Sequence, residues 1–421
     1  MPLNDHFGPT GRELRLMGKL RALSWPLVGL ITIISCIGFV LLYSVAGGSF
    51  EPWADRQMVR FAIGFLIMIA VALIDVRIWF QLAYPIYGVS LLLLIAVEFI
   101  GRTGKGAERW IELGPLQLQP SELMKIGLIL ALARFLHGIL VEDVSRPTRL
   151  LGALALIVIP AVLVLMQPNL GTATILLVGG AGLLFLAGLS WKIIVPVIVL
   201  AVAAVPVGWE FVLKDYQKQR VYTFLDPDTD PLGSGYNILQ SKIALGSGGV
   251  FGKGFGEGTQ SRLNFLPEKQ TDFIFTVMGE EFGLFGLTIL MGLYLAVLAQ
   301  GTMIALDTRS QFGRLVAMGI CINFLLYILI NTSMSMGLIP VVGIPLPLVS
   351  YGGTALLTVL FGFGLLLSVQ IHRGVDIPRS ASGSGTTSGL RSATARSASP
   401  WVRGRRSSRR ATTGVRFWFT R

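Results

Sequence analysis

Ten apolar runs divide this sequence, each close to the twenty or so residues that an α-helix needs to cross a bilayer. They lie near residues 25–46, 57–75, 78–100, 121–139, 149–167, 170–188, 191–210, 272–299, 314–336 and 347–371. Charged residues make up 14% of the 421 and apolar residues 53%, where a soluble domain carries about 25% charged residues. The expected fold is all-α: a polytopic membrane protein with about ten transmembrane helices. A large extracytoplasmic loop, 211–271, separates the seventh from the eighth. Arg60, Lys125 and Arg134 interrupt the second and fourth runs, and long basic side chains near helix ends can reach back to the headgroups.

Orientation follows from the short loops, because Lys and Arg concentrate on the cytoplasmic side. Arg12, Arg15, Lys19 and Arg21 precede the first run; Arg77, then Arg146 with Arg149, then Lys192, then Arg309 with Arg314 occupy alternate loops. With ten helices, all fall on one side together with the C-terminal segment. Both termini are therefore expected in the cytoplasm. The first run follows a basic head and has no small-residue cleavage site, so no removable signal is expected. Cys36 and Cys321 sit inside apolar runs and read as core residues.

The net charge of +12 does not point to nucleic acid. From His372 onward eleven arginines face a single acid, Asp376, which accounts for ten of the twelve charges. This segment, 372–421, is rich in Ser, Gly, Thr and Ala and is expected to be disordered, either solvated or held at anionic headgroups. The domain plan is a head at 1–24, a membrane domain at 25–371 and this tail.

The opposite face holds the polar chemistry. Segment 101–125 reads GRTGKGAERWIELGPLQLQPSELMK. Its glycines allow close backbone approach, and Pro120 suits the first position of the next helix. Glu122 and Lys125 are three apart and share a helix face. They form either a structural ion pair or the polar wall of a cavity for an anionic substrate, with Arg109 offering a bidentate fork to phosphate. Loop 211–271 carries seven basic residues and six acids. Within it YNILQSKIAL, 236–245, reads as a short amphipathic helix on the membrane face. The glycines at 248, 252, 254 and 256 do not form a Walker loop and read as flexible chain. Asp272 stands where this loop meets an apolar run, near Glu268, Lys269, Glu280 and Glu281. It is either a helix N-cap, a role open also to Thr271, or a carboxylate at a cavity mouth able to take a proton from a sugar hydroxyl. Pro340, Pro345 and Pro347 keep 337–353 from running as clean helix. That stretch is either a plain loop or a broken segment buried against protein, with Ser350 and Tyr351 facing a cavity.

Taken together, GAERW (106–110), QPSELMK (119–125), QPNLGTA (167–173), GYNILQSKIALGSGGVFGKG (235–254), FLPEKQTDFIF (265–275), GEEFGLFG (279–286) and PLPLVSYGG (345–353) resemble the shape, elongation, division and sporulation (SEDS) family of peptidoglycan glycosyltransferases. The resemblance covers roughly residues 20–373, and the 235–254 wording is nearer the elongation branch than the division branch. It implies a ten-helix enzyme that joins lipid II units through β-1,4 linkages. It also implies that Asp272 is the essential carboxylate. Arg109, Trp110, Glu122, Lys125, Lys242, Lys269 and Ser350 are the substrate-binding candidates. The implied partners are a class B penicillin-binding protein, which is a single-pass transpeptidase, and other membrane proteins of the elongation machinery. One departure is Asn169, where the family commonly has Asp; Asn can hydrogen-bond but cannot serve as a base.

The donor sugar of such a reaction is α-linked to pyrophosphate and the product is β-linked, so a single inverting displacement suffices. Asp272 would deprotonate the acceptor 4-hydroxyl, while Arg109, with Lys125 or Lys269, offsets charge on the leaving group. A divalent cation, Mg or Mn, could share that task, although the sequence shows no dedicated metal cage. The alternatives are a flippase for lipid-linked precursors and a non-catalytic cell-wall scaffold.

Overall fold

A computed structural model of the chain describes residues 16–100, 102–104, 107–113, 116–167, 169–203, 206, 210, 215–226, 234–263 and 265–377. In chain order the helices are α1 Leu16–Arg21, α2 Trp25–Val45, α3 Ala54–Leu73, α4 Val76–Ile100, α5 Pro120–Leu136, α6 Pro147–Met166, α7 Leu170–Leu186 and α8 Trp191–Ala203. They continue as α9 Asp215–Leu225, α10 Ser234–Ser247, α11 Thr259–Arg262, α12 Ile274–Asp307, α13 Gln311–Ser335 and α14 Gly353–Ile371. Each of the ten expected runs coincides with one of α2–α8 and α12–α14. By length and composition, α2, α3, α4, α6, α12, α13 and α14 can each cross a membrane, and α7 is a shorter apolar helix.

The bundle is built around α5, α13 and α14. In α5 the run Lys125–Ala133 is buried on every side, which is why its hydrophobicity has no preferred face. Outer helices keep large apolar side chains on the surface, such as Leu66 and Leu151 at 70% exposure; hydrocarbon is the solvent those residues suit. Small residues let backbones close up, as interhelical packing in membranes requires. At Gly38 in α2, an added Cβ would stand 2.8 Å from the Val349 backbone.

Four sequence expectations change. Between α4 and α5 the described residues form three short antiparallel strands, β1 Arg102–Gly104, β2 Ala107–Leu113 and β3 Leu116–Leu118, in the order β1-β2-β3. Short hairpins of this kind satisfy backbone groups locally where no helix can start between glycines. The last helix begins at Gly353 rather than 347, because the prolines hold 340–352 out of helix. Loop 211–271 is itself largely helical where described, and the amphipathic segment runs 234–247. Residues 372–377 pack on the bundle: Ile377 is buried and its carbonyl meets His137 Nε2 at 3.2 Å. Tail residues 378–421, and 1–15 of the head, lie outside the described residues.

Candidate functional site

The polar chemistry gathers at one end of the bundle, where α2, α4, α6 and α13 end and α3, α5, α7, α12 and α14 begin. Asp272 sits there on a tight turn. Both Thr271 N and Asp272 N donate to Glu268 O, at 3.0 and 3.1 Å. The N-cap position of α12 is Phe273, which has no capping oxygen, so the reading of Thr271 or Asp272 as the N-cap is replaced. The Asp272 side chain is half-buried. Its Oδ2 faces Gly343, where a Cβ would come within 3.5 Å.

Three other elements hold this turn in place. Asn331 of α13 donates from Nδ2 to Asp272 O at 2.9 Å and to Ile344 O at 2.7 Å. Ser350 donates to Thr271 O at 2.5 Å and accepts from Leu346 N at 2.8 Å. Tyr351 N donates to Gln270 O at 2.8 Å, and Gln57 of α3 donates to Ser350 O at 2.9 Å. The 340–352 stretch is therefore a broken segment clasped to protein, the arrangement that non-helical backbone at membrane depth requires. Ser350 is buried and spends its hydroxyl on that clasp rather than presenting it to a cavity. Tyr351 carries the Arg60 guanidinium over its ring at 4.8 Å.

One turn along α13 from Asn331, Tyr327 closes a second cluster. Lys125 Nζ donates to Glu122 Oε1 at 2.6 Å and also to the Tyr327 hydroxyl, which in turn donates to Glu122 Oε2 at 2.5 Å. All three residues are buried. This arrangement joins the ion pair of α5 to α13 and satisfies charges that would otherwise be costly in a membrane helix. Ile344 packs with Tyr327 and Ile175, so the two clusters share one wall. Asn169 caps α7 by accepting from Thr172 N at 3.3 Å, a role that needs only an acceptor oxygen.

The glycine run is not a flexible loop. Lys253 N and Gly254 N donate to Glu280 O and Glu281 O, both at 3.0 Å; Leu284 N and Phe285 N donate back to Gly249 O and Val250 O, at 3.0 and 2.9 Å. The run is a strap laid on α12 where Gly283, at φ 65°, breaks the helix. Glu280 accepts from Lys253 Nζ at 2.9 Å, Thr259 Oγ1 at 3.1 Å and Gln260 N at 3.0 Å, and Glu281 from the Ser44 hydroxyl. Both carboxylates thus have partners away from Asp272. Lys269 is buried and donates to Ser261 O at 2.5 Å; burial lowers its pKa. Lys242 is exposed on α10 with its stem over Gly337, while its neighbour Ser241 is buried and donates to Ser335 O at 2.6 Å. Trp110 is half-buried in β2. Arg109 lies in β2 as backbone, and its side chain is outside the described residues.

Sequence reading missed Gln57, Tyr327 and Asn331. The signal was a polar residue inside an otherwise apolar run, which is expensive in a membrane unless it faces a partner.

A profile described as cell cycle protein, covering FtsW, RodA and SpoVE, matches residues 18–374. The chain belongs to this family. Among its FtsW/RodA/SpoVE relatives, the peptidoglycan glycosyltransferase MrdB of Escherichia coli K12 is 48% identical over 280 residues, spanning 66% of this chain and 75% of that protein. A probable peptidoglycan glycosyltransferase FtsW of Tolumonas auensis is 37% identical over 284 residues, 67% of this chain and 73% of that one. Two solved structures share the family fold. One comes from a study of how a peptidoglycan synthase complex coordinates polymerisation and crosslinking, with a TM-score of 0.74 at 36% identity over 84% of this chain and 98% of that one. The other is the rod shape determining protein RodA of Thermus thermophilus, with a TM-score of 0.64 at 33% identity over 84% and 99%.

Proposed function

We propose that this chain is a peptidoglycan glycosyltransferase that polymerises lipid II into β-1,4-linked strands, with Asp272 as general base. Family membership supports the reaction. The observation that carries the residue assignment is the Asp272 turn, whose backbone is fixed by α13 and by the 340–352 segment while its carboxylate stays half-exposed. A base held this way costs no reorganisation when the proton moves. The acceptor 4-hydroxyl gives its proton to Asp272. Its oxygen bonds to the donor anomeric carbon from the face opposite the pyrophosphate, and that C–O bond breaks with the electron pair leaving on the lipid pyrophosphate.

Arg109 is the proposed cation for the leaving group. Glu122 and Lys125 act through the shared wall rather than as an open anion site, because each is closed on the other and on Tyr327. Among the described residues no group of three or more His, Cys, Asp or Glu side chains comes together to hold a metal. A Mg or Mn ion shared between one carboxylate and the substrate pyrophosphate needs no such cluster and would help offset charge on the leaving group; no step is routed through it. The site end faces outward and both termini face the cytoplasm in this reading. A class B penicillin-binding protein is the proposed partner, in keeping with the synthase complex from which one relative's structure comes.

The test is polymerisation of fluorescent lipid II by purified Asp272→Asn beside its melting temperature. Loss of the base predicts a fall of roughly 10²–10⁴-fold with little change in melting. Wild-type turnover in that variant would sink the assignment, and a flippase or scaffold would tolerate the change.

A further inference from the structure

Beside the Asp272 turn the loops enclose a cleft of about 570 Å³, within the range of ordinary small-molecule sites. Its walls are the last turn of α2, the α2–α3 connection at 46–53, and the 255–269 stretch. Lys269 lines it and lies three positions before Asp272, so their Cα atoms are at most about 11 Å apart. The turn closing at Glu268 shortens that further.

The lining has a definite character. Tyr43, Trp53 and Phe255 supply ring faces. Tyr43 and Phe255 lie parallel, 6.4 Å between centroids, and Phe255 remains 47% exposed. Two cations, Lys269 and Arg262, are matched by two carboxylates, Glu281 and Glu257, with Arg262 3.9 Å from Glu257. A pyrophosphate site would need surplus positive charge. A charge-balanced, polar cleft with exposed ring faces suits an uncharged chain of hydroxyls and amides that has one apolar face per ring, which is an amino-sugar oligosaccharide.

We propose that this cleft holds the sugars already joined in the growing glycan strand. The inference rests on the polymerase reading above and deepens it. Only one of the two reacting partners carries sugars beyond its reacting disaccharide. Those sugars need a place that starts at Asp272 and leads into water. The incoming unit has nothing to put there, since its disaccharide is consumed at the base. Most of the lining comes from connections outside the spans, where a hydrophilic strand can leave.

The test compares strand lengths made from lipid II by the full chain, its Phe255→Leu and Trp53→Ala variants, and Phe255→Tyr, with melting temperature recorded for each. Loss of one ring face should let strands go earlier and shorten them roughly two- to tenfold, while Phe255→Tyr keeps the wild-type length. Tetra-N-acetylchitotetraose added to wild type should shorten its strands in the same way. Unchanged lengths in both ring-loss variants, at normal melting temperature, would overturn the proposal. So would a raised KM for lipid II with unchanged lengths, since that places the incoming unit in the cleft. If wild type makes no strands at all, it is the polymerase reading that fails.

Discussion

The strap across α12 gives a graded prediction from three glycines in one short stretch. Gly246 lies in α10 with nothing within 4 Å of an added Cβ. Alanine there should be neutral or stabilise by about 0.5–1 kcal/mol, since alanine loses less backbone freedom in a helix. Gly249 also has open space around it, but its φ is +54°, so alanine should cost about 1–2 kcal/mol through the left-handed backbone alone. Gly252 combines φ +81° with backbone contact, its Cβ falling 2.1 Å from Glu281 O and 2.6 Å from Phe282 N. Backbone cannot swing aside as a side chain can, so an overpacking cost of about 1–3 kcal/mol adds to the torsional one. The total is roughly 2–5 kcal/mol. Relief of that clash lifts the strap and loosens the bonds from Lys253 N and Gly254 N. It also shifts Glu280, which holds the 259–261 segment leading to Lys269. The apparent melting temperature in detergent should therefore fall in the order 246, 249, 252, and only Gly252→Ala should also lose polymerisation. If Gly252→Ala melts with Gly246→Ala, the strap is loose chain after all and the packing argument is wrong.

Further expectations concern the wall behind Asp272 and the topology. Lys125→Ala leaves the buried Glu122 carboxylate without its counter-charge and should destabilise by about 3–5 kcal/mol. Adding Glu122→Gln should restore part of the melting temperature, and no recovery would show that the pair is not coupled. Asn331→Ala removes the donor to Asp272 O and Ile344 O, at about 1–3 kcal/mol per stranded acceptor. Its kcat should fall more than its KM rises, and a pure KM effect would remove Asn331 from positioning the base. In a background lacking Cys36 and Cys321, a membrane-impermeant thiol reagent applied outside cells should label Phe251→Cys and spare Val141→Cys, both sites being exposed. The reverse pattern would invert the orientation.

Much of this was legible in the sequence because hydropathy is a local property. Twenty apolar residues specify a helix wherever they occur, so the spans emerged without tertiary information. The polar loops and prolines marked the end of the bundle that carries Asp272. The motif around Asp272 and the six others identified the family. The sequence left open whether Glu122 and Lys125 were a structural pair or a cavity wall, and it misread the glycine run. The sealing partner, Tyr327, is 202 residues beyond Lys125, and no local pattern says which turn of α13 will face α5. Ser350 reads as a free hydroxyl until Thr271, 79 residues away, is seen to accept from it. Glycines at 248–256 read as flexible because a missing side chain permits both mobility and backbone contact; the kink at Gly283 and the four hydrogen bonds across it decide for contact. Burial in hydrocarbon is set by composition, whereas the pairing of polar groups within it depends on which helices the fold brings side by side.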